Sequence, residues 1–390
     1  MTELRTNAEK CADKARTLPA FKNFSLPGVK DKIAEMLNMI GRVEGIFSTY
    51  TIHDINHVDA MLQQLDWLIP PSTKEKMTPL DWLMTVLAIY LHDLGMIVST
   101  AEFQKREKNI AFCDFISNNT KDLDGKEFLA RIENMKPDEK ERFLFQEFIR
   151  NGHTTRIKEW ITGNHSATWG NKVKPIAREI ADLLSVLPGR FRTNLGDVCE
   201  SHHLDNLDNK DLFPLCQGYG NNPDERVNVQ YCALLLRTTD LLHITQDRTP
   251  SIMYKTLRIS DPKGIIEWKK QSGTFYVRMK NPEFDPSNTT SHIIKIGADF
   301  SEERPFFALT EYLVYADGQI KQTKRWADIS IKDPQGNIYW FPWQGIESDI
   351  RVEGNEPRTI SFELDRGRLL DLLVGHTLYN DPTVAVRELI

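Results

Sequence analysis

The sequence predicts a mainly α protein, with a large helical bundle first and a smaller C-terminal α+β unit after it. Three observations carry this. Apolar residues recur at helical spacing through the first 250 positions. Thr249-Pro250 then marks a change to alternating stretches rich in β-branched and aromatic residues. The chain has 390 residues, more than one domain usually holds.

The elements follow in order. Val29 to Ile46 carries Ile33, Met36, Leu37, Ile40 and Val43 at helical spacing, and His57–Leu68 and Leu80–Ile97 behave likewise. Residues 101–150 are rich in Lys, Glu and Asp, with breaks at Asn118-Asn119-Thr120 and Lys136-Pro137-Asp138. They read as a helical insertion, either a lid over a site or a solvated decoration. Beyond residue 250, strands are expected over Gly264–Lys269, Thr274–Met279 and His292–Ile296. Pro305–Trp326 reads as a helix. Two more strands, Ala327–Lys332 and Asn337–Phe341, are expected around a turn at Asp333–Gly336. The expected units are therefore 1–250 and 251–370, with 371–390 opening something further.

Composition excludes several classes. Hydrophobic content of 40 % and charged content of 27 % are ordinary for a globular chain. Net charge is −6, from 49 basic and 55 acidic residues, which argues against a globally basic nucleic-acid binder. Five scattered cysteines without a C-x-x-C pair suit a reducing cytoplasm. No apolar run approaches ~18 residues, so neither a transmembrane span nor a membrane partner is expected. The N-terminus lacks the apolar core of a signal peptide.

The chemistry-bearing residues fall in a few short strings. His53-Asp-Ile-Asn-His57 places two histidines four apart, on one face if helical. His92-Asp93 ends the apolar run Pro79–Leu91. A carboxylate there is costly unless something pairs with it, and a divalent cation would. Imidazole plus carboxylate suits Zn, Fe, Mn or Ni. His153, His202-His203 and Asp240 follow, the last interrupting another apolar stretch. Six of the ten histidines lie in these strings. His165, His243, His292 and His376 are read as lying outside the set.

The order H…HD…H…HH…D over residues 30–250 resembles the HD superfamily of metal-dependent phosphohydrolases, closest in layout to the HD-GYP type. The resemblance implies a core metal set of His57, His92, Asp93 and Asp240. It implies that His153, His202 and His203 hold a second metal or the substrate phosphate. One or two divalent ions (Mn, Fe, Ni, Zn or Mg) are expected. His53 stands where the cyclic-nucleotide phosphodiesterases carry a general-acid His and HD-GYP proteins carry a metal-binding Glu. Asp93 and His53 are therefore the expected catalytic pair. The HD-GYP loop motif is absent after His203, so specificity for cyclic-di-GMP does not carry over. Arg156 and Arg237 are expected near substrate oxygens, although Arg237 equally suits a salt bridge in the core. The substrate would be a nucleotide, a cyclic nucleotide or a nucleic-acid strand, and a homo-oligomer is allowed. A nuclease and a non-catalytic nucleotide sensor are the competing expectations.

Thr377 to Ile390 begins a helix with Asp381 as N-cap and Pro382 in its first turn, without a stop signal. Arg387-Glu388-Leu389-Ile390 resembles the start of a GHKL ATPase domain, with Glu388 matching its water-activating Glu. ATP would then bind only in a downstream domain that these residues do not contain. An HD domain joined to such an ATPase resembles the HD-CE class, which implies a bacterial antiphage or conflict system.

Overall fold

The computed structural model describes residues 3–353, apart from 44–45, 48–52, 120–124, 126–128, 131, 134, 167–168, 170–172, 250–261, 282–283 and 285–291. The expected ATPase start, with Asp381 and Glu388, lies outside the described residues. Met1–Glu353 forms one unit. Its main helices are α1 (Asn7–Asp13), α2 (Leu26–Leu37), α3 (Ile55–Leu68), α4 (Pro79–Leu91), α5 (Ile110–Asn118), α6 (Pro137–Thr162), α7 (Lys174–Leu183), α8 (Gly189–Glu200), α9 (Val229–Leu242), α10 (Pro262–Ser272) and α11 (Glu303–Ile329). The sheet consists of β1 (Thr274–Met279), β2 (Ile293–Phe300) and β3 (Gly345–Val352).

Two packed helices organise the bundle. Helix α4 starts with Pro79 in its first turn and a reciprocal capping box between Thr78 and Asp81, and Leu80 to Leu91 are all buried. Helix α9 starts at N-cap Asn228 and is buried from Val229 to Thr239. Asp81 joins the two starts. Its carboxylate accepts from Asn228 N at 2.7 Å, from Thr78 N at 2.7 Å and from Tyr339 OH at 2.9 Å. The helices have 13 and 14 residues, so both span about 20 Å. Their far ends therefore arrive together, carrying His92-Asp93 and Asp240. The stretch Pro79–Gln104 is apolar enough to cross a membrane by composition, but it is the buried core of this bundle.

A second polar knot ties α1, α2, α3 and α4. Lys30 Nζ, fully buried, lies 2.7 Å from Glu9 Oε1 and 2.8 Å from Asp59 Oδ1. Tyr90 OH donates to Glu9 as well. Helix α5 packs Phe112 against Phe145 and Phe148 of α6, at ring separations of 5.3 and 5.5 Å.

Beyond the bundle, β1 and β2 pair antiparallel, and β2 and β3 pair parallel with Ile294 opposite Ile346 and Phe300 opposite Val352. Helix α11 is the crossover between the parallel strands. The sequence expectations fail here in four places. Gly264–Lys269 is helical rather than a strand, because α10 buries Trp268, Lys270 and Gln271 while packing on α11. Ala327–Ile329 is the last turn of α11 rather than a strand. Asn337–Phe341 forms only a bridge, Lys332 to Ile338, around the expected Asp333–Gly336 turn. The third strand is Gly345–Val352, in which Ile346, Ser348 and Ile350 alternate with Glu347, Asp349 and Arg351. At the N-terminal end, α2 stops at Leu37, short of the expected Ile46.

Candidate metal centre

Three helix C-termini deliver the site. His92 is the C-cap of α4, and Asp93 follows where the chain tightens into a 3-10 turn at Leu94–Met96. Helix α8 runs into the turn Ser201–His203, and Asp240 lies in the last turn of α9. Each helix C-terminus carries roughly half a negative charge, so their convergence favours a cation. His57 comes from the first turn of α3, capped by Asp54, whose carboxylate accepts from Asn56 N and His57 N. His53 precedes that cap and is not helical, so the one-face expectation for His53 and His57 is wrong in its reason. The loop still brings the two rings to 5.5 Å.

Asp93 is the hub. Its Oδ2 lies 3.1 Å from His92 Nε2, 3.5 Å from His57 Nε2 and 3.8 Å from His53 Nε2. Its Oδ1 faces the other way, 3.8 Å from His153 Nε2. Asp240 Oδ1 is 3.8 Å from His92 Nε2. His153 Nε2 and His202 Nε2 are 3.2 Å apart, and His203 packs edge-on against His153 at 4.9 Å. Two donor groups result, His57-His92-Asp93 and His153-His202-His203, each with its ligand atoms within 4.8 Å of one another. Two ligands bonded at about 2.0–2.2 Å to one cation are separated by roughly 3–4 Å, which matches these spacings.

The donor chemistry also fits a cation. His57 Nε2, His92 Nε2 and Asp93 Oδ2 are buried without a hydrogen-bond partner, and they converge. Buried polar atoms are otherwise almost always partnered. His92 Nδ1 donates to Ile89 O at 2.9 Å and His153 Nδ1 to Arg150 O at 2.6 Å. Both bonds aim the Nε2 lone pairs into the site. Burial pushes His57 and His202 well below the usual imidazole range, His203 down, and His153 down to about 4. These are neutral ligand forms at neutral pH. His92 goes the other way. Burial opposes its charge, but Asp93 and Asp240 outweigh that and raise it to about 10. Burial likewise works against ionised Asp93, yet His92 and His53 hold it well below the carboxylate range. The two carboxylates thus demand positive charge, and without a metal a proton on His92 supplies it. Metal binding at pH 8 is therefore expected to release about one proton from His92. Calorimetry in two buffers of different ionisation enthalpy measures this, and a count of zero would contradict it.

The sequence reading missed three residues. His243, left outside the set, stacks on His57 at 4.7 Å, with the two Nδ1 atoms 2.5 Å apart. Its Nε2 faces Asp247 Oδ2 at 2.9 Å. With His243 Nε2–H donating to the Asp247 carboxylate, its Nδ1 accepts from His57 Nδ1–H and fixes the His57 lone pair on Nε2. Arg248 donates to His53 Nε2 at 2.8 Å and to His243 O at 3.1 Å. The available signal was spacing: His243 and Asp247 follow Asp240 by three and seven residues.

The two expected substrate arginines are placed differently. Arg237 lines the cavity but donates to the carbonyls of Ser201, His202 and Leu204, bracing the His202-His203 turn. Arg156 does not line it. Its guanidinium is fully buried, 2.7 Å from Glu102 Oε1 and 2.9 Å from Ile97 O, so its partners are structural. His292 sits among Phe284 and Trp340, apart from the site.

Gly95 sets the spacing between the two donor groups. A Cβ there would stand 2.0 Å from His153 O. Gly95→Ala is expected to force the 3-10 turn off α6, costing about 1–3 kcal/mol and weakening metal binding. Denaturant unfolding together with metal titration checks this, and wild-type values in both would refute it.

A helical bundle with an HD pair at the end of its core helix, histidines around it and a distant aspartate closing it defines an HD-type domain, and its cluster fits a metal-dependent hydrolase. The HD-CE family model matches residues 47–322, and the chain belongs to that family. No curated protein and no solved structure matches the chain.

Proposed function

We propose that the protein is a metal-dependent phosphohydrolase acting on a phosphoester of a nucleotide. One observation carries this reading: three buried, unpartnered ligand atoms on His57, His92 and Asp93 converge beside a cavity of about 720 Å3. A divalent cation held there would lower the pKa of a coordinated water and polarise a phosphoryl oxygen. Asp93 and Asp240 anchor it, and His153, His202 and His203 hold a second ion or the phosphate. His53 lines the same cavity. Its Nε2 now accepts from Arg248. An arriving phosphate would give Arg248 an anionic partner and free that nitrogen to carry a proton to the leaving oxygen.

The family and the likeness of residues 377–390 to a GHKL opening support a role in a bacterial antiphage or conflict system, coupled to a downstream ATPase in the cytoplasm. The test is metal analysis with a hydrolysis screen on wild type and Asp93→Ala. The substrates are nucleotides, cyclic dinucleotides and single-stranded DNA, each with Mn, Fe, Ni, Zn and Mg. Stoichiometric metal and turnover that both vanish in the variant are expected. Wild-type protein that binds metal and hydrolyses nothing would favour a nucleotide sensor.

A further inference from the structure

The cavity of about 720 Å3 is larger than a phosphoryl group needs and lies within the usual range for small-molecule sites. His53, His202, His203 and Asp240 line one part of it, and α10 and α11 line another. Two features of that second part point to a ligand. Gln271 lines the cavity, is 5 % exposed, and its Oε1 has no hydrogen-bond partner. A buried amide oxygen without a partner is costly unless something else completes it. Beside it, Tyr312 and Tyr315 also line the cavity. Tyr312 is fixed, with its OH donating to Leu241 O at 2.6 Å and Lys270 Nζ 4.4 Å over its ring. Tyr315 is 56 % exposed, large for an aromatic ring.

The charges argue against a polyanion. Lys270 is 2.7 Å from Glu267 and Arg150 is 2.8 Å from Glu147, Arg237 is held by backbone carbonyls, and Arg248, beside His53, suits the one phosphate at the cluster rather than a row of them. A groove that tracks a nucleic-acid backbone needs cations turned to phosphate.

We infer that Gln271, Tyr312 and Tyr315 form a recognition wall for the heteroaromatic base of a small nucleotide whose phosphate lies at the metal cluster. This rests on the phosphohydrolase reading above. The tyrosines offer faces for stacking, and the Gln271 amide offers a hydrogen bond to the base edge. Helices α10 and α11 are then the specificity element of the site, and a nucleic-acid strand is not the substrate.

The experiment uses the metal-loaded chain as wild type, Gln271→Leu and Tyr315→Ala. Tyr315→Ala changes an exposed rim position and does not endanger folding. Measured are kcat/KM on ribonucleoside monophosphates, their 3′,5′-cyclic forms, bis(p-nitrophenyl) phosphate and a single-stranded oligonucleotide, with nucleotide binding by calorimetry. Wild type should favour a nucleotide over the nitrophenyl ester, and that ratio should fall about tenfold or more in each variant, with weaker binding in parallel. An unchanged ratio in both variants, or preference for the oligonucleotide, overturns the wall. Nucleotide binding that depends on Gln271 without any hydrolysis refutes the hydrolase reading and leaves the wall standing. Hydrolysis of the nitrophenyl ester without nucleotide preference or binding does the reverse, and neither binding nor hydrolysis overturns both.

Discussion

Asp93→Ala is expected to abolish metal binding at both donor groups together, and hydrolysis with it. The two carboxylate oxygens point to different groups, Oδ2 to His92, His57 and His53, and Oδ1 to His153. Removing one member of a buried charge cluster costs about 3–5 kcal/mol, which is roughly two to four decades of affinity. His203→Ala should do much less, because His203 is exposed and stands at the edge of its group. Elemental analysis and metal titration of both variants decide the point. Stoichiometric metal at wild-type affinity in Asp93→Ala would remove the hub from the site.

The sequence made the helices that point at the site legible, because α4 and α9 are rich in apolar residues and buried over most of their length, and a carboxylate stands just past the end of α4 and in the last turn of α9. Asp93 and Asp240 stand out for the same reason. What the sequence hid was tertiary. His243 looks like any histidine past a helix end until folding lays its ring on His57. Arg156 looked like a free cation near His153, but Glu102, 54 residues away, takes its guanidinium. The N-cap at Asp54 moved His53 off the helix, since Asp competes for backbone N–H groups and so starts helices more readily than it continues them. Beyond the bundle, the pair Ile265-Ile266 suggested a strand at Gly264–Lys269, and packing on α11 overrode that preference.

The last expectation separates structure from substrate at Arg156. Glu102 is 5 % exposed and Arg156 is not exposed at all. The guanidinium also stands 5.0 Å from the Trp160 ring and 5.3 Å from the Trp169 ring. Glu102→Ala should destabilise the protein by about 3–5 kcal/mol, because it strands a buried charge. Arg156→Met should cost less. Its new side chain fills the space over the two tryptophans. Arg156→Met with Glu102→Leu should recover most of the loss, as paired replacement of buried ions often does. Denaturant unfolding of the three variants gives the coupling. Kinetics on folded Arg156→Met supply the second readout, with KM expected at the wild-type value because Arg156 does not line the cavity. A raised KM with unchanged stability would return Arg156 to the substrate site.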